Sequence, residues 1–175
     1  MTLFVYRHNG VVGAKEPDRD RMKILWHPSL NKWIPPGKNK KYLAYWIFHY
    51  ARLFRNRDYF WLALQKGNIK ASMLCVPTHF RWPFMAANDI QFTYVMAAPG
   101  EKGKGWGSNL IQSGIELLER PGRSFWYVTD GSNLPSRKLA DRAGFALVGT
   151  ATYQSDIFKR LYLDPVVHNA PNKEA

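Results

Sequence analysis

Between Asp89 and Gly107 the chain reads D-I-Q-F-T-Y-V-M-A-A-P-G-E-K-G-K-G-W-G, and its last part alternates Gly103, Gly105 and Gly107 with Lys104 and Trp106. Glycine lets a backbone bend into left-handed conformations and approach a ligand closely. A loop that opens a helix points unpaired N–H groups outward, at the positive end of the helix dipole. Together these features suit a phosphate or pyrophosphate, and Lys102 and Lys104 add positive charge beside them. Groups able to move a proton flank the loop: His79, Asp89 and Tyr94 before it, Tyr153 after it.

Two familiar phosphate loops are excluded by spacing. A Walker-type loop needs Lys and then Ser or Thr after its last glycine. Counting from Gly100, that glycine is Gly105, and Trp106 follows it. A dinucleotide fingerprint needs a third glycine where Ser108 stands, with an acid ending a strand about 20 residues on. The plain alternative is a glycine-rich helix entry with no ligand.

The loop needs a strand before it and a helix after it, and the pattern supplies both. Asp89 opens an apolar strand that breaks at Pro99 and Gly100. A helix over Ser108 to Glu119 carries Leu110, Ile111, Ile115, Leu117 and Leu118 at helical spacing, and Pro121 and Gly122 stop it. Ser124 to Val128 reads as a buried strand, and Leu134 to Ala143 as a helix with Pro135 in its first turn and Gly144 at its end. Ala146 to Gln154 and Ile157 to Leu163 make a closing hairpin across Ser155 and Asp156. Upstream, Leu3 to Tyr6 and Met22 to Trp26 read as strands, with charged Lys15 to Arg21 between them. His27 to Lys41 is a proline-rich loop expected to fold over the protein, either as the wall of a pocket or as packing without function. Tyr42 to Phe54 is a helix whose apolar face is Leu43, Trp46, Ile47, Tyr50, Leu53 and Phe54. Tyr59 to Leu64 and Ile69 to Val76 form a hairpin turning at Lys66, Gly67 and Asn68. Val166 to Ala175 reads as a loose tail.

Composition bounds the partners. The chain has 175 residues, 46% hydrophobic and 15% aromatic, enough for one core in one domain. The 25 basic residues against 13 acidic ones leave +12, which favours anions: a cofactor with several phosphates, nucleic acid or a membrane surface. Cys75 is the only cysteine, so an intrachain disulfide and a cysteine-based metal site are both excluded; it reads as a small buried hydrophobe. No metal site is expected. The absence of a signal pattern and of any apolar run of about 18 residues leads to a cytoplasmic expectation.

The segment Val95 to Gly107 resembles the acyl-CoA loop of the GNAT superfamily of N-acetyltransferases, [Arg/Gln]-x-x-Gly-x-[Gly/Ala]. Lys102 stands for the Arg or Gln, Gly105 and Gly107 fit, and Pro99 and Ala97 stand where a V-x-P precedes the pattern. Asn133 to Phe145 (N-L-P-S-R-K-L-A-D-R-A-G-F) resembles the family's N-x-x-A-x-x-x-Y-x-x-x-G-F segment without a gap. The resemblance covers about residues 58–163. It implies an α/β sandwich with a mixed, mostly antiparallel sheet of six or seven strands, splayed at a parallel pair, with helices on both faces. One domain over residues 1–165 would comprise a variable substrate side (1–57) and a GNAT-like core (58–163).

The resemblance implies acetyl-CoA as cosubstrate. Residues 102–108 (Lys102, Gly103, Lys104, Gly105, Trp106, Gly107, Ser108) would hold its pyrophosphate, Val95 and Ala97 would pair with the pantetheine arm, and an N–H near Met96 would polarise the thioester. Asn133 and Ser136 match positions that line the cofactor. Many members place a carboxylate eleven residues before the Arg/Gln position, which is Gln91 here; Asp89, on the same strand face, could act through water, with His79 or bulk water as alternatives. The family's tyrosine is replaced by Ala140, so Tyr153 or Tyr94 would have to protonate the leaving thiolate. The expected function is direct acetyl transfer to a primary amine in a ternary complex, the acceptor a small amine, amino sugar or amino acid ahead of a macromolecule. The alternatives are a non-enzymatic acyl-CoA module and a basic protein that binds nucleic acid or modifies tRNA. Surface aromatics would suit a homodimer.

Overall fold

The computed structural model describes residues 2–10, 22–35, 42–153 and 160–165. The elements are β1 (Leu3–His8), β2 (Met22–Trp26), α1 (Leu43–Tyr50), β3 (Phe60–Lys66), β4 (Asn68–Pro77), β5 (Ile90–Ala97), α2 (Trp106–Leu118), β6 (Phe125–Asp130), α3 (Leu134–Arg142), β7 (Ala146–Tyr153) and β8 (Leu161–Pro165). Among the described residues one sheet of 8 strands runs β2-β3-β4-β5-β6-β1-β7-β8, against the six or seven expected. β1 is the less foreseeable strand: it lies between β6 and β7, antiparallel to both. The charged segment 15–21, the turn at 155–156, the tail 166–175 and the later part of the proline-rich loop lie outside the described residues.

Alternation along the strands sorts the core onto two faces. Phe60, Leu62 and Leu64 of β3, with Met73 and Cys75 of β4, meet Leu110, Ile111, Ile115 and Leu118 of α2. Gly114 permits this approach: a Cβ there would lie 2.3 Å from Met73 Cε and 3.1 Å from Phe92 Cζ. Leu117, assigned to the same face from its spacing, instead points outward. On the opposite face Trp61, Ala63, Leu74 and Val76 meet Tyr42, Tyr45 and Phe54. The loop carrying Trp82, Phe84 and Met85 covers the rest of that face, over Trp126, Val5 and Ala151. Helices therefore sit on both faces, as expected.

α1 corrects the sequence reading in length and orientation. It stops at Tyr50, and Ile47, Tyr50 and Leu53 are exposed. It leans on the sheet through Tyr45, stacked on Tyr59 with centroids 6.3 Å apart, and through Phe48, 5.4 Å from the His79 ring. The helix is apolar all round, and periodicity alone does not choose a face on such a helix.

Arg123 ties the far end of α2 to the loops beneath the sheet. Its guanidinium is fully buried, donating to Asp58 Oδ2 at 2.7 Å, Leu118 O at 2.7 Å and Asn88 O at 2.8 Å. A buried charge satisfied this way is costly to break, about 3–5 kcal/mol when one partner is removed.

Candidate active site at the splayed strands

β5 and β6 are parallel and pair only through Ile90–Phe92 and Phe125–Tyr127. Beyond Phe92 the two strands part, while β6 continues to pair with β1 as far as Asp130. The end of β5 thus keeps unpaired backbone groups on the side facing β6. Its other edge stays on β4, with a register break where Ser72 faces Met96 and Leu74 faces Thr93. This is a β-bulge, and within it Tyr94 takes a φ of 51°. A left-handed tyrosine costs about 1–3 kcal/mol, and such outliers gather at functional sites. The bulge turns both Phe92 and Val95 onto the α2 face.

The glycine loop closes this cleft. Gly100, Gly103 and Gly105 have φ of 75°, 81° and 80°, where a side chain would be strained. Gly105 caps α2 from the left-handed region with no side chain over the helix end, and the first turn contains no acid. The first-turn N–H groups have no intrahelical partner and face the groove. That groove, of about 170 Å³, is lined by Val95 and Ala97, by Lys102, Gly103, Gly105, Trp106, Gly107 and Ser108, and across it by Pro135, Leu139 and Arg142 of α3. α3 packs close because Gly107 leaves room for Leu139, whose Cδ1 would lie 3.1 Å from a Cβ there.

Several expected site residues have other duties. Lys104 pairs with Glu101 at 3.3 Å and does not line the groove. Glu101, which the sequence reading passed over, also binds Lys70 at 2.8 Å and accepts from Trp106 Nε1 at 3.0 Å. The Lys70 hydrogen bond first, and then Lys104, hold its carboxyl below its ordinary value. Asn133 caps α3 by accepting from the Ser136 N–H at 3.2 Å, and the Ser136 and Tyr127 hydroxyls are hydrogen-bonded to each other at 2.6 Å. Neither lines the groove, and Met96 turns away from it.

The proton-transfer candidates separate. Asp89 is buried, and its carboxylate accepts from Ala86 N–H at 2.9 Å, Ser124 N–H at 3.0 Å and Trp126 Nε1 at 2.7 Å. Its oxygens are engaged in pinning the 86–89 turn to β6. Gln91 is also buried, but its Oε1 has no partner. His79 accepts from Arg81 N–H through Nδ1, and burial, then the Arg81 charge, depresses it to about 3. Its Nε2 has no partner. Tyr153, half exposed at the end of β7, comes within electrostatic reach of Tyr45, as do Tyr94 and Arg81. Tyr42 stands 5.0 Å from the Tyr94 ring, and burial raises its hydroxyl to about 12. The two expected acid candidates, Tyr94 and Tyr153, therefore converge on one tyrosine cluster. Ala140 lies in the core beside Phe145 and offers no proton. Cys75 is fully buried, and burial pushes its thiol far up, so it is inert. No group of three His, Cys, Asp or Glu side chains among the described residues could hold a metal. No helix among them is long and apolar enough to cross a membrane.

The fold and site define an α/β protein with an open mixed sheet, splayed at its parallel pair beside a glycine-rich helix entry. Residues 22–145 match the model of the acetyltransferase (GNAT) family, and the chain belongs to that family. β1, β7 and β8 lie outside the matched residues. Solved structures agree on the fold. A GCN5-related N-acetyltransferase from Sphaerobacter thermophilus superposes with a TM-score of 0.56 at 17% identity, over 85% of this chain and 49% of its own. A protein from Staphylococcus epidermidis described as functionally unknown gives 0.53 at 14%, over 85% and 58%. A protein from Novosphingobium aromaticivorans assigned to the GNAT family gives 0.52 at 15%, over 85% and 60%. The chain thus spans about half to three fifths of these structures. Comparison with curated proteins gave no match.

Proposed function

We propose that this protein moves an acetyl group from acetyl-CoA to a small primary amine by direct transfer. The observation that carries the reading is the pairing of two features: the unpaired end of β5, and a loop of left-handed glycines opening α2 beside it. The backbone of residues 102–108 and the Lys102 charge would hold the pyrophosphate, with Arg142 across the groove. Val95 and Ala97 would hydrogen-bond the pantetheine arm as a neighbouring strand does. When bound, acetyl-CoA supplies the activated acyl group and a thiol leaving group.

The chain's own residues do the remainder. Met96 stays in the β4 ladder opposite Ser72, but the bulge leaves Tyr94 and Val95 without a register partner, and a backbone N–H there would stabilise a developing oxyanion. Gln91 Oε1, a buried acceptor without a partner, orients the amine or a water that takes its proton. Tyr153 stands at the cluster's open side to return a proton to the thiolate. Tyr42, Tyr45 and Tyr94 form an aromatic wall on which an ammonium group is attracted before it is deprotonated.

Gln91 and Ala140, standing where many members have a carboxylate and a tyrosine, favour one second reading: an acyl-CoA-binding module that does not turn over. Release of free thiol from acetyl-CoA across a panel of small amines separates the two. Amine-dependent release, lowered at least tenfold by Gln91→Leu, supports transfer. Binding without release for every amine supports the module.

A further inference from the structure

The strongest feature outside the acyl groove is a basic cup just after α1. It has a volume of about 500 Å³, and His49, Tyr50, Arg52, Asn56, Arg55 and Arg57 line it with Phe54. Three of the lining residues are exposed arginines and none is an acid. Among the described residues, no ion pair engages Arg52, Arg55 or Arg57. Burial, then the Arg57 charge, lower His49, so its imidazole offers one N–H to the cup and no added charge beside the arginines. Arginine forks match phosphate oxygens.

The backbone gives a second, independent sign. The turn ending α1 is a Schellman motif: Leu53 N–H donates to Phe48 O at 2.9 Å and Arg52 N–H to His49 O at 3.3 Å. The residue at its left-handed corner, usually glycine, is Arg52 at φ 56°. The strained corner therefore carries an arginine that lines the cup. A cation at a helix end is modestly favourable by itself, which accounts for one charge and not for three. The loop is also braced, since Arg55 N–H donates to Thr78 O at 2.9 Å and Asn56 Nδ2 to Ala87 O at 3.1 Å.

Next to the cup a row of aromatic rings runs from the end of α1 to Trp33 on the loop after β2. Tyr50 stands 4.7 Å from Trp46, and Trp46 stands 5.8 Å from Trp33. Trp33 is 54% and Tyr50 39% exposed. A charged groove beside exposed rings is the arrangement that binds single-stranded nucleic acid, phosphates on the arginines and bases on the rings. The cup adjoins the start of β5, whereas the acyl groove lies at the far end of that strand, roughly 25 Å away by strand rise.

We infer that the Arg52–Arg55–Arg57 cup and the Tyr50–Trp46–Trp33 row form a binding site for single-stranded nucleic acid. It is separate from the acyl groove and does not depend on acyl transfer. The net charge of +12 adds long-range attraction.

The test is fluorescence anisotropy of a labelled oligothymidylate over a range of salt. Three phosphate contacts give a slope of log affinity against log salt of about −2. Arg55→Glu combined with Arg57→Glu should weaken binding at least tenfold and flatten the slope. Tyr50→Ala combined with Trp33→Ala should weaken it with the slope unchanged. Arg52→Gly relaxes the backbone corner, so its loss of affinity is not a folding defect. Gly105→Glu, in the acyl groove, should leave oligonucleotide binding within about twofold, which keeps this site's test apart from that of acetyl-CoA binding. No oligonucleotide binding, binding of inorganic pyrophosphate alone, or binding indifferent to the arginine substitutions would overturn the assignment.

Discussion

Trp106 Nε1 donates to Glu101 Oε2 at 3.0 Å, so the first residue of α2 is tied to the start of the glycine loop it closes. The other carboxylate oxygen binds Lys70 of β4 at 2.8 Å. The loop's shape is therefore held by an acid placed beside a site for an anion.

That arrangement makes opposite predictions for two substitutions. Glu101→Gln keeps an acceptor for the indole, removes a negative charge and frees Lys104; acetyl-CoA affinity should rise roughly fivefold. Glu101→Ala also loses the tie and should weaken binding. Because hydrogen bonding holds the folded carboxyl below 4.5, the tie is complete above that pH and is lost only as pH falls through the lowered value. Affinity measured by calorimetry should then show no Glu101 inflection between about pH 5 and 9.

Asp89→Asn separates brace from base. The substitution sets an amide among three donors that need an acceptor, and stability should fall by about 1.5–3 kcal/mol. Acetyl-CoA affinity and the pH profile of turnover should keep their wild-type form. A profile that loses its acidic limb in a variant of unchanged stability would make Asp89 a base after all.

His79 makes the fold sensitive to acid. Its folded value of about 3 lies below the ordinary 6.5, so the unfolded chain takes up a proton that the native state refuses. Stability is complete above 6.5 and falls with pH down to about 3, by up to about 1.4 kcal/mol per pH unit. His79→Gln should flatten that part of the melting-temperature profile. Unchanged slopes would place the acid sensitivity elsewhere.

Arg52→Gly should stabilise the protein. Glycine accepts a φ of 56° without strain, a gain of about 1 kcal/mol. For a chain of this size the melting temperature should rise by about 2–4 °C. Arg52→Ala keeps the strained corner and should not show the gain.

Local features were legible in the sequence, and long-range ones were not. The loop was legible because Gly100, Gly103 and Gly105 are fixed by their own φ. The parallel pair followed from the strand–helix–strand order around α2. By contrast, no local signal marks β1 as the strand between β6 and β7, a pairing across more than a hundred residues. α1 was turned the wrong way because Tyr42, Tyr45 and Phe48 compete with Leu43, Ile47 and Tyr50 for one apolar face. Glu101 was the missed site residue. Its signal was present as a lone acid ahead of Lys102 and Lys104. The bulge at Tyr94 gave none, since a tyrosine in a strand ordinarily argues for regular pairing.

The central claim is that the glycine loop and the open end of β5 hold acetyl-CoA. Calorimetric titration of the wild-type protein and of Gly105→Glu tests it most directly. Glutamate at a φ of 80° is strained, and it sets a negative charge at the N-terminus of α2. Micromolar binding by the wild type, weakened at least a hundredfold in a variant that still melts cooperatively, is the expected result. No binding by the wild type, or equal binding by both proteins, would contradict the account.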